Sequence, residues 1–234
     1  MALLNFYGAI QQVTGSCYLI ESRDGSRVLL ECGMHQGYRD ADERNRAAFP
    51  FDPGSLNAVV ISHAHLDHSG LLPRLAAEGY RGPIYATVAT CELMELMLLD
   101  AAHIQEHDTE WENKWRARLG KPPIAPIYNS IEAEQALKLR RALNYGEQHE
   151  VAPGIRVTYH DAGHILGSAM LHLTRKSDGA TLLYTGDYKL RQGLSSEKCE
   201  LLQADTLIME TTFGLPKYRL PPMADVIAQM LTFV

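Results

Sequence analysis

Residues 58–68 read Ala58-Val59-Val60-Ile61-Ser62-His63-Ala64-His65-Leu66-Asp67-His68. The first four form a short continuous apolar run, the pattern of a strand buried on both faces. That run leads directly into three histidines and an aspartate. Alternate side chains of an extended backbone share a face, so His63 and His65 project the same way from the end of the strand. Asp67 and His68 follow where the chain bends towards a helix, which lets them turn onto an adjacent position. Imidazole suits zinc, and a carboxylate completes the coordination or bridges a second ion.

The sequence on either side supplies partners for this strand. Residues 3–7, 17–21 and 27–32 read as strands, with Asp24-Gly25-Ser26 as a hairpin turn between the last two. A helix is expected over about 70–77, with Pro73 in its first turn, and a buried strand over 83–87. From 88 to 143 the period becomes helical. Met94, Met97, Leu98 and Ala101 recur at helical spacing, and Trp111, Trp115 and Leu119 continue the stripe. Lys121-Pro122-Pro123 breaks it, and residues 131–143 resume it. The stripe predicts a helical layer whose methionines and aromatics touch a core. Strands return at 155–160, 169–174, 181–185 and 206–209. The expected class is α/β, with two sheets flanked by helices.

Composition narrows the function. The chain has 234 residues, 46% hydrophobic and 21% charged, which fits a globular chain with a sizeable core and excludes a disordered tail, a fibre or a coiled coil. No apolar run approaches the roughly 18–20 residues of a membrane-spanning helix. The first residues have neither a basic start nor a long apolar segment, so the expectation is a cytoplasmic protein without a membrane partner. With 22 basic against 28 acidic residues, a polycationic coat for nucleic acid is excluded. An enzyme whose bound ions supply local positive charge is not. The four cysteines form no CxxC pair and read as buried thiols in a reduced compartment.

Two later residues suit the same site. His164 lies in Asp161-Ala162-Gly163-His164-Ile165-Leu166-Gly167-Ser168, where glycines permit a tight loop between strands. Asp187 lies in Tyr184-Thr185-Gly186-Asp187-Tyr188, directly after an apolar strand. With His63, His65, Asp67 and His68 they make six nitrogen and oxygen ligands. That number serves two ions roughly 3.5–4 Å apart, the arrangement used for phosphodiester cleavage.

These motifs resemble the metallo-β-lactamase fold, whose mark is His-x-His-x-Asp-His, and more narrowly its β-CASP branch of RNA-processing exonucleases and 3′-end endonucleases. The likeness is carried by Gly8-Ala9-Ile10 with Val13-Thr14-Gly15-Ser16, then by residues 62–70, 162–168 and 184–187, and by Glu210-Thr211-Thr212-Phe213-Gly214. It runs from residue 8 to about 214. It implies an αββα sandwich, incomplete within this chain. Residues 1–212 would form the catalytic domain, with 88–143 as a helical layer within it, and 213–234 would begin a β-CASP domain.

The resemblance also implies roles. His63, His65 and His164 would bind one zinc, Asp67 and His68 the other, and Asp187 would bridge them. Glu210 would orient a ligand histidine. Asp67, Asp187 and Glu210 are thus the catalytic candidates. Glu31, in Leu30-Glu31-Cys32-Gly33, stands where the branch usually has Asp. The branch places two further histidines beyond residue 234, so the second zinc is expected to bind weakly, with manganese as a substitute. His35, His103, His107, His149, His160 and His172 match no motif and read as ordinary residues.

The expected function is zinc-dependent hydrolysis of phosphodiester bonds in RNA or single-stranded DNA by a hydroxide bridging two ions. The rivals are another hydrolase on the same fold, a thioesterase or lactonase, and a non-catalytic nucleic-acid-processing subunit. Lys189 and Arg191 are candidates for a flanking phosphate. The segment Phe213-Gly214-Leu215-Pro216-Lys217-Tyr218-Arg219 resembles exonucleases linked to DNA repair ligases, which keeps DNA open. From about Pro222, Val226, Ile227, Met230, Leu231 and Val234 form an apolar helical stripe. The expectation is a fragment whose stripe and sheet edge are covered by a second copy, as a homodimer, or by a missing C-terminal segment.

Overall fold

The computed structural model describes residues 2–191, 198–219 and 221–233. In chain order the first half contains β1 (Leu3–Phe6), β2 (Tyr18–Glu21), β3 (Arg27–Leu30), α1 (Ala41–Arg46), β4 (Ala58–Val60), α2 (Leu66–Ser69), α3 (Leu72–Ala77), β5 (Ile84–Thr87), α4 (Val88–Arg118), α5 (Ser130–Leu137) and β6 (Arg140–Leu143). The second half contains β7 (Gln148–Ala152), β8 (Ile155–Asp161), β9 (Ala169–Arg175), β10 (Thr181–Tyr184), β11 (Thr206–Ile208) and α6 (Met223–Leu231).

The strands form two sheets, ordered β1-β2-β3-β4-β5-β6 and β11-β10-β9-β8-β7. β4 runs parallel to β3 and β5, with Leu30 opposite Val60 and Val60 opposite Tyr85. All three of its residues are buried, which is why it reads as an uninterrupted apolar run. Between the sheets lie Ile20, Val28, Leu30, Val60, Val157, Tyr159, Leu171 and Leu173. On the other face of the first sheet, Leu29, Val59 and Ile61 meet Leu72 and Leu75 of α3, Met94 and Leu98 of α4, and Ala133 of α5. Each such large side chain contributes about 1.5–3 kcal/mol by leaving water. The outer face of the second sheet is met by Cys199, Leu202 and Ala204.

The expected two-sheet α/β architecture is present, with three departures. The helix expected over 70–77 is α3, preceded by the short α2 that carries Asp67 and His68. Residues 140–143, expected as helix, are a parallel edge strand. The Ile84 amide takes the Leu139 carbonyl at 2.9 Å, and the Arg140 guanidinium turns back onto Cys91 and Glu95 of α4. β7 escaped the reading because Gln148, His149 and Glu150 show no apolar alternation. Finally, only the first half of α4 packs. Met94, Leu98 and Ala101 are buried, whereas Trp111 is 68% exposed and Trp115 52%. The helix is longer than the sheet it covers, so its distal stripe has nothing beneath it.

All four cysteines are free thiols, three of them buried. No described helix is long and apolar enough to cross a membrane. α6 buries none of its residues, and Val226, Ile227, Met230 and Leu231 are all exposed. Val234 lies outside the described residues.

Candidate metal centre

Three chain segments meet where the sheets converge: the carboxyl end of β4, the β8–β9 loop and the carboxyl end of β10. Ser62, wholly buried, ties them together. Its amide donates to Glu31 Oε1 at 3.0 Å, and its carbonyl accepts from Ala169 N of the other sheet at 2.8 Å. Its hydroxyl lies 2.9 Å from His63 Nδ1, which leaves Nε2 as the free nitrogen of that ring. Gly186 packs so closely that a Cβ there would lie 2.7 Å from the Ser62 hydroxyl, so the chain before Asp187 must be glycine.

The His164 loop is held from both sides. Ser168 Oγ accepts from the amides of His164 and Ile165, each at 3.1 Å. The Gly167 carbonyl accepts from Thr87 Oγ1 at 2.7 Å and Thr90 Oγ1 at 2.8 Å, at the start of α4. The Tyr145 hydroxyl donates to the Ser168 carbonyl at 2.9 Å.

These supports bring His63, His65, His164 and Asp187 together, with one ligand atom from each lying within 4.8 Å of all the others. His63 Nε2 is 3.0 Å from His65 Nδ1, and His164 Nε2 is 3.3 Å from the same atom. Asp187 Oδ2 lies 3.4 Å from His164 Nε2 and 3.9 Å from His63 Nε2. Asp67 and His68 sit beside this group. His68 Nε2 is 3.4 Å from Asp187 Oδ1 and 3.7 Å from Asp67 Oδ2, and its Nδ1 is 3.8 Å from Glu31 Oε1.

The electrostatics differ across the site. Burial, reinforced by the neighbouring rings, holds His63 far below the ordinary histidine range and keeps it neutral. His164 is lowered by burial, against the pull of Asp187. Burial also opposes a charged His68, but the facing carboxylates of Asp187 and Glu31 outweigh it and raise that ring to about 10. Asp187 is half-buried, yet His68 and the other imidazoles hold its carboxyl below the usual range. Burial pushes the Glu31 carboxyl up. Glu31 has φ +63°, a left-handed conformation that costs a glutamate energy and is kept by its surroundings.

The donor set fits a divalent cation. Three imidazole nitrogens and a carboxylate oxygen face one another, and lone pairs so arranged repel unless a proton or metal lies between them. Two further polar atoms, His68 Nδ1 and Glu31 Oε2, are buried without a hydrogen-bond partner.

Of the other candidates, Glu210 lines a cavity of about 350 Å³ together with His68 and Asp187. Its carboxylate accepts from Thr212 N at 2.9 Å, and no histidine is hydrogen-bonded to it among the described residues. Lys189 Nζ donates to the His164 carbonyl at 3.3 Å, which places it at the rim, whereas Arg191 is exposed. The Ser62, Thr87, Thr90 and Tyr145 supports carry no sequence signal, because each acts across the fold.

A family profile described as Metallo-beta-lactamase superfamily matches residues 10–209. The chain belongs to the metallo-β-lactamase superfamily. A ribonuclease of Thermus thermophilus is 38% identical over 227 residues, 96% of this chain and 46% of the relative. Transcription termination factor FttA of Methanothermobacter thermautotrophicus is 38% identical over 219 residues, 91% of this chain and 32% of the relative. The chain therefore spans between a third and a half of these relatives, which together with the profile bear out the resemblance read from the motifs. A solved structure from Enterococcus faecalis V583, of unknown function, shares the fold at 20% identity and a TM-score of 0.51, covering 80% of this chain and 43% of that one.

Proposed function

We propose that this chain carries the metal-binding catalytic part of a nuclease that hydrolyses RNA phosphodiester bonds. The observation that carries the reading is the group of four ligand atoms within 4.8 Å of one another, beside a cavity of about 350 Å³ into which Asp187 and His68 also open. Two relatives, a ribonuclease and a transcription termination factor, support RNA over a thioester or lactone.

In this reading His63, His65, His164 and Asp187 hold one divalent ion, taken as zinc from its liking for imidazole. Asp67, His68 and Asp187 would hold a second, weaker one that manganese could replace. Bound there, such ions lower the pKa of water and offset charge on phosphoryl oxygens. The chain's own residues set this up. Ser62 fixes the His63 ring so that Nε2 faces the site, and burial keeps that ring unprotonated. Glu31 and Asp187 flank His68. Glu210 and Lys189 sit at the rim, where a substrate strand would pass. Residues 1–212 are assigned to this catalytic part and 213–234 to the start of a second domain.

The test is cleavage of a fluorescent single-stranded RNA by the purified chain, with zinc or manganese and with a chelator. The expected result is metal-dependent cleavage, lost on chelation and in Asp187→Asn while the fold is retained. Single-stranded DNA is run in parallel. Robust lactone or thioester hydrolysis with no cleavage of either nucleic acid would overturn the reading.

A further inference from the structure

We propose that the loop of residues 8–16 is the substrate-gripping wall of the cavity, and that the Gln12 carboxamide donates hydrogen bonds to the nucleic-acid strand beside the cleaved bond. The inference rests on the nuclease reading above and names a contact within it.

The loop lies against the candidate metal centre: Ala9, Gln11 and Gln12 line the same cavity as His68 and Asp187. Its backbone is strained and tightly pinned. Ala9 has φ +51° and Gln11 φ +57°, two left-handed residues that are not glycine within three positions. Local sequence preference does not favour that shape, so contacts from outside must impose it. Contacts of this kind hold the far end of the loop. Ser16 N donates to the Asp67 carbonyl at 2.9 Å, and Gly33 N donates to the Ser16 carbonyl at 2.9 Å. Thr14 exchanges hydrogen bonds with the backbone of Gln36 at 2.9 and 3.1 Å. The loop is thereby fastened to α2, which carries the ligand candidates Asp67 and His68. A pinned loop keeps its polar groups in place before a ligand arrives, which spares the ligand the cost of ordering them.

Gln12 is a polar side chain this scaffold presents. Arg44 Nη1 donates to Gln12 Oε1 at 2.8 Å. A guanidinium only donates, so the carboxamide must turn its oxygen to Arg44. Its two N–H donors then have no acceptor among the described residues, and Gln12 lines the cavity. Hydrogen-bond donors without acceptors, fixed beside a phosphodiester-cleaving centre, call for a ligand rich in acceptors. A phosphate or base oxygen of a single strand is such a ligand. A neutral amide also suits a rim that already has its charge at the metal ligands. It orients the strand without holding the product as strongly as another cation would.

Two variants of the 234-residue chain test this. Gln12→Glu keeps the partner of Arg44, so the loop stays anchored, but it replaces two donors with a negatively charged acceptor. Gln12→Leu removes the donors without adding charge. Binding of a fluorescein-labelled oligouridylate is read by anisotropy, alongside zinc content and thermal midpoint. The expected result is a roughly tenfold or greater loss of affinity in Gln12→Glu and a smaller loss in Gln12→Leu, with a matching rise in KM, while kcat, zinc content and midpoint hold. Unchanged affinity in both variants, on a parent chain that binds and cleaves the oligonucleotide, would overturn the proposal and leave the nuclease reading standing. A parent chain that holds zinc yet neither binds nor cleaves any nucleic acid would overturn both.

Discussion

The two halves of the candidate metal centre are built differently. On one side, His63, His65 and His164 come from three backbone positions locked by Ser62, Ser168, Thr87 and Thr90, and their free nitrogens converge with Asp187. On the other, His68 lies between two carboxylates, Asp187 at 3.4 Å and Glu31 at 3.8 Å, with Asp67 at 3.7 Å. The first half sets three imidazole nitrogens and a carboxylate oxygen facing one another. The second already holds a positively charged ring between acids. An ion entering the first half meets ligands ready to bind, whereas one entering the second must displace a proton first. The difference teaches that two ions sharing one aspartate, as proposed above, would not need to share one affinity.

The largest expected effect tests the first half. His63→Ala removes one of three imidazoles from a preformed set and is expected to weaken the tighter ion by on the order of 10²–10³-fold, read by competition with a chromophoric chelator. Loss of only the weaker ion would invert the comparison drawn above. Next in size, Glu31→Gln keeps the length of the side chain and the acceptor for Ser62 N, but removes the charge facing His68. The expected outcome is a roughly 10–100-fold loss at the second site alone, the usual cost of removing a group that supports a metal ligand. Equal losses at both sites would show that the halves are coupled through Ser62. Smallest is the double change Thr87→Val with Thr90→Val, which strips both hydroxyl donors from the Gly167 carbonyl at nearly unchanged volume. It should cost about 1–3 kcal/mol of stability in chemical denaturation and loosen only the site that uses His164. Should affinity at that site hold while stability falls, the clamp serves the fold and not the ligand.

Much of the first half was legible in residues 58–68 because spacing alone does the work: a two-residue step on an extended strand puts His63 and His65 on one face. His164 and Asp187 were legible through glycines that announce tight turns. The supports were not, since the Thr90–Gly167 contact spans 77 positions and only the folded chain brings them together. The helical reading of residues 140–143 failed for a related reason. Arg140 and Arg141 look like a solvated helix face, but pairing with β5 at an open edge lets basic side chains sit on a strand. Trp111 and Trp115 kept the helical period expected of them yet lie beyond the sheet. Periodicity reports which face a residue occupies and says nothing about whether a core lies under that face.

The position of those two side chains has a practical consequence in spectroscopy. They are the chain's only tryptophans, and both stand in water on the distal half of α4. Their emission should already be that of solvent-exposed indole in the native chain, and unfolding of the sheets should change it little. The fully buried ring chromophores are instead tyrosines: Tyr80, Tyr128 and Tyr159. Near-ultraviolet dichroism in the tyrosine band will follow folding of this protein, while tryptophan fluorescence will report what happens at one exposed helix end.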